Sequence, residues 1–100
     1  MAKVKHAVFL KFKATTTPEQ IEQVFSDLLD LSEAVEGIED YVAGPNNSPQ
    51  GLAQGFTHGI IMTFTDAAAR DAYLPHPEHK AFEEKALPLV DSVAVVDFEV

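Results

Sequence analysis

Residues 4–13, VKHAVFLKFK, alternate so that Val4, His6, Val8, Leu10 and Phe12 fall on one side of an extended chain. Lys5, Ala7, Phe9, Lys11 and Lys13 fall on the other. A helix would scatter both sets around its axis, so this stretch is a strand with one inward face. A second alternation places Phe56, His58, Ile60, Met62 and Phe64 on one face and Thr57, Gly59, Ile61 and Thr63 on the other. A third segment, SVAVVDFEV at 92–100, has the β-branched enrichment of a closing strand, with Ala94, Val96, Phe98 and Val100 expected on one face.

Between the first two alternations the period changes. Thr17, Pro18 and Gln20 offer an N-cap, a proline at the first helical position and the partner of a capping box. Ile21, Val24, Phe25, Leu28, Leu29 and Val35 then recur at helical spacing, and Gly37 is expected to end the helix as its C-cap. Ile38 to Ala43 make a short strand, and GPNNSPQGLAQG at 44–55 is a long turn-rich loop. Thr65 and Asp66 can cap a helix that Pro75 interrupts, and Pro77 can begin another containing His79, Phe82 and Ala86.

The order is β-α-β-β-α-β, which specifies a ferredoxin-like α+β fold: one antiparallel four-stranded sheet with helices on one face. A single domain is expected over residues 1–100. The uncovered face needs its own partner, because Phe9, Ile61 and Val95 are apolar residues assigned opposite to the core set. The sheet of a second copy is the natural cover, so a homodimer is expected.

Charge narrows the partners. Sixteen acidic against seven basic residues give a formal net charge of −9, a field that repels phosphate backbones and anionic headgroups, so neither nucleic acid nor a membrane is expected. Lys3, Lys5 and Lys11 share one strand face, which a solvated strand explains. The absence of cysteine excludes thiol chemistry and agrees with a cytoplasmic location.

All four histidines occupy structured or punctuating positions. His6 and His58 point inward from strands, while His76 and His79 form the compact element H-P-E-H. One interior histidine is most simply a hydrogen-bonded core residue, but two on neighbouring strands weaken that account. With the broken helix above them, His76 or His79 and Tyr73 would meet them in one cavity. An imidazole can accept a proton there, and a phenol can donate to a carbonyl or developing enolate. A metal centre is disfavoured, since His76 and His79 straddle a helix start without an assisting cysteine. Glu78 is read as a helix-dipole residue. The Gly51 and Gly55 loop lacks the strand–glycine–helix context of a phosphate site.

The segments VKHAVFLKFK, GIEDYVAGPNNSPQG, GFTHGIIMTF and DAYLPHPEHKAF resemble the stress-responsive A/B barrel (Dabb) family over nearly the whole chain. The resemblance implies a dimeric α/β barrel formed from two ferredoxin-like protomers. It also implies a site, because the family includes a plant polyketide cyclase that works by aldol condensation with a tyrosine and a histidine of the H-P-x-H region. Tyr73 and His79 stand at those positions. By that resemblance His79 is the general base, Tyr73 orients it or stabilises the oxyanion, and His6, His58 and His76 line the substrate cavity, with no cofactor. The alternative is a noncatalytic ligand-binding or stress-response dimer in which the same residues support structure.

Overall fold

The computed structural model describes residues 2–100. Its elements are β1 (Val4–Phe12), α1 (Pro18–Ala34), β2 (Ile38–Pro45), β3 (His58–Phe64), α2 (Ala67–Tyr73), α3 (Pro77–Ala86), a 3-10 turn (Leu87–Leu89) and β4 (Val90–Glu99). The strands form one antiparallel sheet in the order β2-β3-β1-β4. This is the ferredoxin-like arrangement, with β1 central and paired on both sides.

Local chemistry sets the ends of α1. The Thr17 side chain accepts from the Gln20 backbone N–H at 3.2 Å, and Gln20 Oε1 accepts from the Thr17 N–H at 2.8 Å, the two arms of a capping box. The C-cap is Val35 rather than Gly37. Gly37 lies two residues further on with φ +93°, in the turn into β2, where a Cβ would come within 2.7 Å of Ala69 Cβ. Its lack of a side chain thus serves both the turn and the seating of α2.

Direct cross-strand partners share a face, so the register decides what the helices cover. His6 pairs with Met62 and Asp97, Val8 with Ile60 and Val95, and Leu10 with His58 and Val93. The covered face of β4 is therefore its odd-numbered row, the reverse of the sequence expectation. Val95 looks toward the helices, while Ala94, Val96 and Phe98 join Phe9, Ala7 and Lys5 on the open face. A second correction concerns Phe56, which precedes β3 and packs against Phe9 of the open face, with ring centroids 6.4 Å apart.

Under the helices, Val4, Phe64 and Met62 are essentially inaccessible, and Val24, Leu28 and Leu31 of α1 pack upon them. Each such side chain contributes roughly 1.5–3 kcal/mol by leaving water. The open face keeps Phe9, Val42, Ile61, Val96 and Phe98 exposed. Among the described residues no helix is long and apolar enough to cross a membrane.

Candidate functional site

A cavity of about 250 Å³ lies between the covered face of β1 and the broken helical segment, lined by His6, Tyr73 and His79 within an apolar wall that includes Val8, Met62, Phe82, Val93 and Val95. The break that Pro75 imposes builds its polar edge. Leu74, the C-cap of α2, presents a carbonyl at the end of the helix, and His79 Nδ1 lies 2.9 Å from it. A carbonyl only accepts, so Nδ1 carries the proton and Nε2 is left as the ring's free acceptor. Glu83, one turn along α3, lies 3.7 Å from the same Nδ1.

Tyr73 stacks on His79, with ring centroids 4.3 Å apart and planes inclined by 32°. It also touches Phe64 at 5.2 Å and His6 at 6.1 Å. Burial pushes the Tyr73 phenol well above the ordinary tyrosine range, and the nearby Glu83 charge adds to the effect. The hydroxyl therefore stays protonated at neutral pH and is available as a donor.

His6 belongs to a charged chain that the sequence reading missed. Its Nδ1 donates to Asp97 Oδ1 at 2.8 Å, and Arg70 Nη1 donates to Asp97 Oδ2 at 2.7 Å. Arg70 Nε also donates to Asp71 Oδ1 at 2.8 Å. The hydrogen bonds to Asp97 and then to Asp71 push the guanidinium pKa up, so the arginine remains charged. The available signal was Asp97 itself, a carboxylate in the otherwise apolar run VAVVDF.

The other two histidines do not join this group. His58 shares the sheet face but lies opposite Leu10, where its ring meets Phe12 and Phe25, each with centroids 5.3 Å away. Its Nδ1 is 2.9 Å from Thr57 Oγ1, and partial burial lowers its pKa. It lines an open crevice with Tyr41 and Phe25 instead of the His6 cavity. His76 is the N-cap of α3, where its Nδ1 accepts from the Glu78 backbone N–H at 3.1 Å. His76 is absent from the lining of the His6 cavity. Among the described residues no group of three or more histidine, cysteine, aspartate or glutamate side chains is placed to hold a metal ion.

Comparisons with known proteins agree with this architecture. The family model described as the stress responsive A/B barrel domain matches residues 4–100. The stress-response A/B barrel domain-containing protein HS1 of Arabidopsis thaliana is 32% identical over 96% of this chain and 88% of its own length. Olivetolic acid cyclase of Cannabis sativa is 26% identical over 95% of this chain and 94% of its own. A crystal structure of a dimeric ferredoxin-like protein of unknown function from Thermobifida fusca superposes with a TM-score of 0.82 at 26% identity, covering 99% of this chain and 92% of that one. With the family model spanning residues 4–100 and a relative 32% identical over 96% of this chain, the chain belongs to the stress-responsive A/B barrel domain family.

Proposed function

We propose that the protein is a homodimeric, cofactor-independent acid–base catalyst acting on a small polyoxygenated organic molecule, in the manner of a cyclase or lyase. The observation that carries this reading is the His79–Tyr73 stack at the wall of a largely apolar cavity, with Nε2 of His79 free to accept and the Tyr73 hydroxyl held protonated. The kinship with olivetolic acid cyclase supports it.

In this scheme His79 Nε2 takes a proton from an activated methylene, and the electron pair moves into an enolate whose oxygen accepts from the Tyr73 hydroxyl. The enolate carbon attacks a second carbonyl of the same chain, and the new alkoxide recovers the proton from the imidazolium. The apolar wall excludes water, which strengthens both hydrogen bonds. His6 completes the polar lining. His58 and His76, committed to an aromatic stack and to a helix cap, take no part in the chemistry.

The experiment is turnover of a linear poly-β-keto thioester by wild type, His79→Ala and Tyr73→Phe, followed by mass spectrometry of the cyclised product. Wild-type cyclisation with a loss of about 10²-fold or more in each variant supports the scheme. Full turnover by His79→Ala removes that residue from the mechanism, and ligand binding without turnover by wild type moves the protein to the noncatalytic reading.

The dimer is supported by the apolar open face and by the dimeric Thermobifida relative. Sedimentation of wild type and Ile61→Lys tests it, with a dimer expected for the first and a monomer for the second. The reading carries with it a cytoplasmic location, which fractionation of the producing cells checks.

A further inference from the structure

Arg70 stands three residues before Tyr73 on the short helix α2, and its guanidinium reaches across to Asp97 of the edge strand β4. A carboxylate on the covered side of a sheet is costly unless its oxygens are satisfied. Here both are engaged: Oδ1 by His6 and Oδ2 by Arg70, with side-chain exposures of only 20% for Asp97 and 8% for His6. One arginine thus ties the helix that carries Tyr73 to the strand neighbouring His6. It also fixes the plane of the carboxylate that accepts the hydrogen bond from His6 Nδ1–H.

We propose that Arg70 is a positioning residue which, through Asp97, holds His6 in the Nδ1–H tautomer and so gives the cavity a second imidazole acceptor beside that of His79. The polar lining then consists of two acceptors, Nε2 of His6 and Nε2 of His79, and one donor, the Tyr73 hydroxyl. It matches a ligand with one carbonyl or enolate oxygen and two protic groups, hydroxyl or acidic C–H. This ligand class rests on the cavity being the ligand site proposed above, whereas the tautomer assignment does not.

The test uses the full chain without ligand, ¹⁵N-labelled at histidine, with long-range ¹H–¹⁵N correlation spectra at pH 8. Wild type is expected to show His6 as one tautomer, protonated at Nδ1. Arg70→Gln is expected to show a mixture in which the Nε2–H form is readily detected. Arg70→Lys, which keeps the charge and loses the planar fork, is expected to fall between. Asp71→Asn, which releases only the solvent-side contact, is expected to match wild type. A His6 spectrum unchanged in both Arg70 variants overturns the proposal, as does an Asp71→Asn change as large as that of Arg70→Gln. If Arg70→Gln fails to fold, Arg70→Lys decides on the same criterion. Failure of wild type to turn over a polyketide would leave this result standing, so the two readings fail separately.

Discussion

His6 and His58 occupy the same face of the same sheet, on neighbouring strands, and each has a tyrosine nearby, yet their surroundings differ in kind. His6 is held by a chain of charges, Arg70 to Asp97 to Nδ1, beside the buried Tyr73. His58 is held by a neutral hydroxyl and two phenylalanines beside the more open Tyr41. Inward orientation is therefore no measure of role. A charged hydrogen-bond chain fixes an imidazole proton at a chosen atom, while an aromatic stack fixes only the ring.

The largest expected effect that would break the comparison lies in packing. Phe64, fully buried, touches both His6 and Tyr73, with ring centroids at 5.8 and 5.2 Å. Phe64→Ala should cost about 3–5 kcal/mol in urea unfolding. Phe25→Ala, beside His58 and only half-buried, should cost about 1–2 kcal/mol. Equal losses would show that the two surroundings are equally rigid and that the contrast is chemical only.

A smaller effect comes from pH. Burial lowers the folded-state pKa of His58 below its unfolded value, so its neutral form favours folding. That contribution is complete above the ordinary histidine pKa of about 6.5 and is lost as pH falls through the lower folded value. Stability measured from pH 8 to pH 5 should fall less in His58→Gln than in wild type. Identical profiles would place His58 in a more solvated setting than its phenylalanine neighbours suggest.

The smallest signal separates the tyrosines. Two ordinary phenols would be about half ionised at pH 10. Burial raises both here, and Tyr73 more than Tyr41 because it is the more buried and faces Glu83. Phenolate absorbance of the folded protein should lag behind that of the unfolded chain, and Tyr41→Phe should remove its earlier step. An early step surviving in Tyr41→Phe would mean that Tyr73 is wetter than the cavity allows.

The sequence carried most of the fold because β1 and β3 alternate cleanly and because Thr17, Pro18 and Pro77 mark helix starts. It misassigned β4 for a physical reason. In VAVV both rows are apolar, so period-two reasoning finds no solvent side, and the carboxylate that looks outward-facing is turned inward by Arg70 and His6. Phe56 was misplaced because the loop backbone, not a strand, orients it. The residue pattern brought Tyr73 together with His76 or His79, and the family resemblance pointed to His79, which with Tyr73 lines the cavity. The expected meeting of His58 with His6 fails because sharing a face says nothing about distance along a strand, and His58 sits opposite Leu10 while His6 sits opposite Met62.

The bond between His6 and Asp97 joins residues 91 positions apart, and Lys3 and Val100 exchange backbone hydrogen bonds at 3.2 and 2.9 Å. The chain must therefore extend through β4 before the first strand gains its second neighbour. Helices α1 and α3 can form on the emerging chain, but the imidazole cannot be locked until β4 arrives, and closure over that separation is slow compared with helix formation. A chain that stops before β4 would retain Tyr73 and His79 yet lack Val93 and Val95 of the cavity wall and the carboxylate that holds His6.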